Sequence, residues 1–399
     1  MSNKRITKTF TASLLALLLI LNLTSCLSFS LTGIGGSGTQ AVASGCYLDG
    51  RRVELITPER ESLSYAEMSE EEKNLYCSAY TVLLGGRSEF VLRNVDYENI
   101  LDIYGDTLTA LLNDCPEFFW LSGYVRANAE YIEGSKIGNV TISFGVFDYW
   151  KDKNLNDARR EFNSALISIT NRVSRIDGDY ERVKFLHDYI ISKVTYDEEA
   201  YREGDAADEK TQALPYTAYG ALLEGKALCG GYAKLFELVM HTLGYECEYV
   251  TGTAGGGPHA WNLIKLEGDY YYIDLTWDDL DDNVSLYTYF CVNDEMLSRT
   301  HTLDSASYSV ETNATKYNYH VSEGLYVKAY ELKSIEKKIR DHIDLSTVSL
   351  RFETEEDMEK AIGDLIDGNK LSDVLDSANK GSFSYIVNRD QLVLAFIIE

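Results

Sequence analysis

The 399-residue sequence predicts an α+β fold, with helices followed by an antiparallel sheet and smaller α+β regions on either side. Apolar side chains recur at helical spacing in three segments, 156–176, 179–194 and 229–243. Strand-like apolar runs follow in three more, 246–252, 259–266 and 270–276. After residue 325 the pattern becomes helix, strand, helices and hairpin, which is typical of a small α+β module.

The first 26 residues have the features of an export signal. A basic start over residues 4–8 precedes an apolar run over 14–21 and the tetrapeptide Leu23-Thr24-Ser25-Cys26. A membrane-spanning helix would need about 20 apolar residues, and polar side chains interrupt this segment too often. The tetrapeptide resembles the lipobox of bacterial lipoproteins. That resemblance implies removal of residues 1–25, a lipid on Cys26 and anchoring at the outer face of the bacterial membrane, with secretion without a lipid as the alternative.

The next segments mix flexible, helical and extended signals. Residues 26–45 are rich in Gly, Ser and Thr and predict a flexible tether. Within 46–150, helices are predicted over 69–84 and 97–112 and a strand over 140–147. These signals indicate an α+β region before the central helices.

The central helices have recognisable ends. Asn156 is the expected N-cap of the first, and Gly244 is the expected C-terminal stop of the helix over 229–243. That helix places Tyr232, Phe236 and Val239 on one face. Beyond the three strands, residues 287–292 predict one further strand.

The charge and the cysteines exclude several classes of protein. There are 63 Asp and Glu residues against 37 Lys and Arg, a net charge of −26, which argues against binding to a nucleic acid backbone. The seven cysteines form no CxxC pair, so a zinc ribbon or a dense disulfide framework is not expected. The four aspartates within 278–282 form an acidic run that is interpreted as a solvated loop, with a calcium site or a surface attracting cationic substrates as alternatives.

Cys229 is the candidate nucleophile because it opens a predicted helix and is followed by Gly230 and Gly231. The positive end of a helix stabilises a thiolate, and its free backbone N–H groups can hold an oxyanion. Taken alone, a buried core cysteine is the simpler interpretation.

His259 and Asp274 strengthen this assignment through their spacing. If Glu267 and Gly268 form a two-residue turn, Leu266 pairs with Asp269 and residue numbers across the hairpin sum to 535. His259 and Asp274 then lie diagonally on one face of the sheet, about 7–8 Å apart, so that Asp274 can orient His259 as the base for Cys229.

The motifs together resemble the transglutaminase-like superfamily, the papain-like Cys-His-Asp group. They are Leu228-Cys229-Gly230-Gly231-Tyr232-Ala233, His259-Ala260-Trp261-Asn262 and Tyr272-Ile273-Asp274-Leu275-Thr276-Trp277-Asp278. Flanking segments 187–197 and 289–294 are similar as well, and the resemblance extends over about 155–300. Leu275 departs from the proline of many relatives, which is expected to affect strand rigidity.

The resemblance implies a papain-like core and a chemistry. Cys229 would attack an amide or peptide carbonyl to give a thioester, with His259 as general base and acid and Asp274 as its orienting group. The family also tends to place a side-chain oxyanion donor upstream of the cysteine, and the candidates are Gln212, Tyr216 and Tyr219. Gly230 and Trp261 are further candidates for contacts at the substrate. No metal or cofactor is expected.

The predicted substrates are proteins or peptides, including surface proteins and wall peptides, and both hydrolysis and crosslinking remain open. The alternative is a catalytically silent surface module that binds peptides or glycans. The predicted domains are a signal peptide (1–25), a tether (26–45), an N-terminal α+β region (46–150), a transglutaminase-like domain (151–300) and a C-terminal α+β module (301–399).

Overall fold

The computed structural model describes residues 5–13, 44–59, 62–151, 153–203, 214–280, 285–304, 310–378 and 380–398. It divides into two compact units. The first comprises Met1–Leu166 with Asp197–Glu224, and the second comprises Ile167–Tyr196 with Gly225–Glu399. Among the described residues, no helix combines the length and the apolar character needed to cross a membrane.

The described part of the chain combines helices with sheets whose strand pairs are mostly antiparallel, and this confirms the predicted α+β class. The strands are β1 Arg5–Ser13, β2 Gly45–Leu48, β3 Arg51–Arg52, β4 Glu89–Asp96, β5 Leu121–Ile132, β6 Ile137–Val146, β7 Thr195–Tyr196, β8 Lys226–Ala227, β9 Cys247–Ala254, β10 Gly257–Leu266, β11 Asp269–Ile273, β12 His301–Leu303, β13 Tyr326–Val327, β14 Thr347–Phe352, β15 Phe383–Asn388 and β16 Val393–Ile398. The helices are α1 Leu63–Glu67, α2 Glu70–Leu84, α3 Tyr97–Asp114, α4 Asp148–Lys151, α5 Leu155–Val173, α6 Asp179–Ile191, α7 Glu198–Glu203, α8 Cys229–Thr242, α9 Leu275–Asp278, α10 Asp294–Leu297, α11 Tyr319–Ser322, α12 Leu332–Asp341, α13 Glu355–Ile362 and α14 Lys370–Ser377. Two π-helical turns lie at Gly220–Glu224 and Gly363–Asp367. The parallel pairs among the described strands are β7 with β8 and β13 with β14.

The first unit contains a six-stranded sheet in the order β1-β5-β6-β4-β2-β3, with antiparallel neighbours. Its two long helices confirm the predicted ones. Ser69 caps α2 in a capping box with Glu72, and the Asp96 side chain caps α3. Strand β1 falls within the predicted signal peptide, whereas Cys26 and the rest of the tether up to residue 43 lie outside the described residues.

The second unit is built around α8 and a four-stranded antiparallel sheet in the order β11-β10-β9-β12. Helix α8 is buried along most of its length and ends before Gly244, whose φ of 87° only glycine adopts readily. The predicted hairpin register is confirmed, since Leu266 pairs with Asp269 across a turn in which Glu267 and Gly268 both have positive φ.

Three local predictions are wrong, each because a side chain or a turn replaces the expected backbone pattern. The strand predicted to extend to residue 276 ends at Ile273, because Asp274 caps the helical turn α9, so Leu275 has no part in strand rigidity. The strand predicted over 287–292 is instead a series of turns joined to β11 by one bridge, Tyr272 to Val292. Helix α5 begins earlier than predicted, and Asn154 rather than Asn156 accepts the Asp157 N–H.

The C-terminal segment has the predicted order of helix, strand, helices and hairpin, and its sheet order is β13-β14-β16-β15. It belongs to the same compact unit as α8 and β10. Buried Arg351 on β14 donates to the carbonyl of Thr288, and Gln391 donates to the carbonyl of Met296 at 2.9 Å. The C-terminal module is thus tied to the segment that leads into β12. The domain boundaries given above stay a prediction.

Candidate active site

Cys229 is the first residue of α8, and the side chain of its N-cap residue, Leu228, makes no capping hydrogen bond. Cys229 is partly exposed, whereas the other five cysteines in the described part of the chain are buried. Its position at an uncapped helix N-terminus faces the positive end of the helix dipole. The structure therefore places the predicted nucleophile at an accessible helix start.

His259 on β10 connects Cys229 to Asp274. Its ring interacts with the Cys229 side chain, and its Nε2 lies 2.7 Å from Asp274 Oδ2. Burial would lower the pKa of His259, but the adjacent Asp274 carboxylate outweighs burial and raises it to about 10. The ring is therefore stabilised as an imidazolium between a thiol and a carboxylate.

Asp274 is completely buried and accepts four hydrogen bonds. Its Oδ1 accepts from the backbone N–H groups of Thr276 and Trp277 at 3.0 and 3.2 Å. Its Oδ2 accepts from His259 and, at 3.1 Å, from His301 Nε2. Burial alone would raise the pKa of Asp274, but the two histidines hold it well below its ordinary value, so the group stays ionised.

His301 on β12 is the residue that sequence reasoning missed. It lies 27 positions after Asp274 and pairs through its backbone with Ala254 at the edge of β9. No motif or periodic pattern marks this position, and only the antiparallel return of the chain beside β9 brings it to the site. Within the described ranges, one set of three side chains, His259, Asp274 and His301, is close enough to hold a metal ion, with ligand atoms within 4.8 Å of one another.

Tryptophan rings enclose the two histidines. Trp261 stacks on His259 with 5.9 Å between ring centroids and packs edge-on against His301 at 5.0 Å, and Trp277 packs on both. Trp261 is only 1 % exposed, so its ring packs inside the unit and offers no surface to a substrate. Gly230 is likewise buried in the first turn of α8. The expected substrate contact of Trp261 is therefore replaced by a role in shielding the imidazoles from water.

The structure does not select one of the three candidates for the oxyanion donor. Gln212 lies outside the described residues, and Tyr216 and Tyr219 belong to the first unit. Tyr219 is buried against Phe119 and Trp150, with centroids 4.6 and 5.1 Å away, and burial raises its pKa to about 12. Its ring serves as core packing, and Tyr216 stays a prediction.

The acidic run is not the solvated loop that the sequence suggests, at least where it begins. Asp278 is fully buried, accepts from the backbone N–H of Tyr289 at 2.9 Å and lies 3.3 Å from His187 Nε2. Burial raises its pKa above the ordinary value. Asp279 accepts a hydrogen bond from the Tyr232 hydroxyl at 2.5 Å, while residues 281–284 lie outside the described residues. Asp278 therefore joins α6 to α9 and contributes no surface charge.

Comparisons with known proteins relate part of the chain to one family. A family model described as the transglutaminase-like superfamily matches residues 167–275. Kyphoscoliosis peptidase from Mus musculus is 30% identical over 135 residues, which are 30% of this chain and 19% of that protein. The same peptidase from Homo sapiens is 30% identical over 121 residues, 27% of this chain and 17% of that protein. The chain thus spans about a fifth of the length of these curated relatives.

A solved structure described as that of a TGase is similar at a TM-score of 0.30 and 21% identity, over 39% of this chain and 45% of its own. The matched family segment contains Cys229, His259 and Asp274, the three residues that the sequence motifs single out. Through residues 167–275, this chain carries a domain of the transglutaminase-like superfamily.

Proposed function

We propose that the chain is a cysteine acyl-transfer enzyme that acts on amide or peptide bonds through a thioester, as a peptidase, an amidase or a transglutaminase. The observation that carries the proposal is the position of His259, whose ring interacts with the Cys229 side chain and is hydrogen-bonded to the Asp274 carboxylate. A nucleophile, a base and a group that orients the base are the parts that nucleophilic catalysis needs.

The reaction begins with the proton of Cys229 on His259. The thiolate sulfur attacks the carbonyl carbon, and a tetrahedral oxyanion forms near the N-terminus of α8, where backbone N–H groups are available. When the carbon–nitrogen bond breaks, His259 gives its proton to the departing amine and the acyl group stays on sulfur as a thioester.

The second half of the reaction removes the acyl group from Cys229. Water gives hydrolysis, whereas a primary amine gives transfer. In either case His259 takes a proton from the attacking group, and the thiolate leaves. The ionised Asp274 stabilises the imidazolium in both halves, as the raised pKa of His259 indicates.

The proposed substrates are proteins or peptides. The curated relatives are named as peptidases, which supports this class for the matched domain. We also propose that the chain is exported and lipid-anchored through Cys26 at the bacterial cell surface, on the strength of the Leu23-Thr24-Ser25-Cys26 tetrapeptide, so that surface proteins or wall peptides would be its targets. A Cys26→Ala variant that remains in the membrane fraction of expressing bacteria would contradict the anchor.

Iodoacetamide tests the nucleophile. Mass spectrometry of the intact fold after brief treatment is expected to show modification at Cys229, with the buried Cys247 in the same digest as the internal control. A His259→Ala variant should slow the reaction at Cys229 and leave Cys247 unchanged. If Cys229 and Cys247 are labelled equally slowly in the wild type, Cys229 is not the nucleophile.

A glutamine-containing peptide offered with a labelled primary amine distinguishes the two reactions. Incorporation of the label indicates transfer, and release of ammonia or a peptide fragment without incorporation indicates hydrolysis. Cys229→Ala is the control and should abolish both. If the peptide binds equally well to Cys229→Ala and no thioester is found on the wild type, the chain is instead a silent binding module.

A further inference from the structure

His301 presents an N–H group to the catalytic carboxylate. Its Nε2 lies 3.1 Å from Asp274 Oδ2, the same oxygen that His259 Nε2 contacts at 2.7 Å. An ionised carboxylate only accepts hydrogen bonds, so both imidazoles must carry a proton on Nε2.

A chain of side chains fixes that proton on His301. The Nδ1 of His301 lies 2.9 Å from the hydroxyl oxygen of Thr300, which lies 2.9 Å from Nε2 of Gln391. An amide nitrogen only donates, so Thr300 accepts from Gln391. The Thr300 hydroxyl also lies 3.2 Å from the Tyr289 hydroxyl. Because Nε2 of His301 already donates to Asp274, all contacts are satisfied when Tyr289 donates to Thr300 and Thr300 donates to His301 Nδ1. Because Nδ1 accepts, the proton of the neutral ring is on Nε2, facing Asp274.

The orientation of the Gln391 amide is set by two neighbours. Its nitrogen donates to the carbonyl of Met296 at 2.9 Å, and its oxygen faces the guanidinium of Arg351, 3.5 Å away. A carbonyl can only accept and a guanidinium can only donate, so the amide has one consistent orientation. Gln391 is fully buried in the turn between β15 and β16, as Arg351 is on β14.

We propose that His301 is a positioning residue of the active site and that Gln391, acting through Thr300, sets its tautomer, so that the C-terminal hairpin completes the site. Two imidazole N–H groups hold Oδ2 of Asp274 and two backbone N–H groups hold Oδ1, which prevents the carboxylate from rotating. His259 is thereby kept in line with Cys229. The kinetic part of this role rests on the proposed function, whereas the tautomer does not.

The tautomer is measured by long-range proton–nitrogen correlation NMR on the full chain labelled with ¹⁵N-histidine. The chain has six histidines, and the His301 signals are assigned by their loss in His301→Gln. We expect neutral His301 with its proton on Nε2 in the wild type. Thr300→Val has the same shape without the hydroxyl and is expected to give a mixture of tautomers, which Thr300→Ser restores.

The alkylation rate of Cys229 gives the kinetic consequence. It should fall about 10- to 100-fold in Thr300→Val, the range typical when the partner of a ligating or catalytic side chain is lost, and remain within about twofold in Thr300→Ser. The matched control is Arg389→Gln in the same turn, since the side chain of Arg389 is half-exposed and donates to Glu359 within the module. It should leave both the tautomer and the rate unchanged.

Several outcomes would overturn this role. If wild-type His301 is protonated on Nδ1, or if Thr300→Val leaves the tautomer of His301 unchanged, Thr300 and Gln391 do not set that tautomer. Stoichiometric zinc whose chelation shifts the signals of both His259 and His301 would show that the two rings coordinate a metal instead.

If Thr300→Val does not fold, His301→Gln replaces it in the test. The glutamine keeps an N–H near the Nε2 position and should retain the alkylation rate within about threefold, whereas His301→Phe should not. If wild-type Cys229 is alkylated slowly while His301 shows the expected tautomers, the proposed function is refuted but the control of the His301 tautomer by Thr300 and Gln391 is not.

Discussion

Replacing Asp274 by asparagine tests how the active-site charges are coupled. The aspartate accepts hydrogen bonds from four donors, two on each oxygen. In an asparagine, an NH₂ group replaces one of the two carboxylate oxygens. The two donors that pointed at that oxygen would then face a donor instead of an acceptor. If the oxygen stays with the backbone N–H groups, His259 has to turn its proton to Nδ1, toward Cys229, and can no longer take the proton of the thiol.

The size of the effect follows from the pKa of His259. Asp274 is the main group that raises this pKa from 6.5 to about 10. A return of this pKa from about 10 to the ordinary value of 6.5 corresponds to about 5 kcal/mol, at roughly 1.4 kcal/mol per pKa unit. We expect turnover to fall about 10²- to 10³-fold, which corresponds to about 3–4 kcal/mol.

The assay is the rate of Cys229 alkylation between pH 5 and pH 9. In the wild type the pKa of His259 is about 10, so its imidazolium persists over this whole range and the rate should show no step from the titration of His259. In Asp274→Asn the pKa of His259 falls, so the rate should change within the range as the imidazolium loses its proton. Asp269→Asn, at an exposed position at the start of β11, the strand that ends just before Asp274, is the control. A folded Asp274→Asn protein with the wild-type pH profile would refute the reasoning.

Three further predictions concern stability. The raised pKa of His259 contributes stability that is complete below about pH 6.5 and lost as the pH rises through about 10, so the difference in urea midpoint between wild type and His259→Gln should shrink across that range. Gly268→Ala should cost about 1–2 kcal/mol in thermal unfolding, because its φ is 96° and nothing lies within 4 Å of a new methyl group, whereas Gly257→Ala, equally unobstructed but without a positive φ, should be nearly neutral. Gly252→Ala should cost about 1–3 kcal/mol and also slow Cys229 alkylation, because the new Cβ would collide with the backbone carbonyl of Thr302 and push β12 away; an unchanged melting temperature would contradict this close approach.

The parts of the site that lie close together in sequence could be predicted from it. The two-residue turn at Glu267 and Gly268 fixes the hairpin register, and the register places His259 near Asp274. The helix that starts at Cys229 was evident from its apolar face and its glycine stop. Local patterns are reliable here because each depends on only a few neighbouring residues.

The remaining features depend on contacts that no local pattern records. The sequence pattern places Asp274 within a strand. In the structure its carboxylate accepts hydrogen bonds from two backbone N–H groups and starts the helical turn α9. The sequence pattern predicts Asp278 on an acidic surface. In the structure it is buried against His187, which lies 91 positions earlier in the chain. His301 and Gln391 carry no motif at all, because their roles arise only when the C-terminal hairpin packs beside the segment that leads into β12.

The distance along the chain between Thr300 and Gln391, 91 positions, has a consequence for how the protein is made. Cys229, His259 and Asp274 are all synthesised before residue 275, so a nascent chain can bring them together while the last hairpin is still inside the ribosome. Contacts that close long loops also form late in folding. We therefore expect the reactivity of Cys229 to lag behind compaction during synthesis: a ribosome-bound chain stalled before residue 383 should alkylate more slowly at Cys229 than a chain in which β15 and β16 have folded.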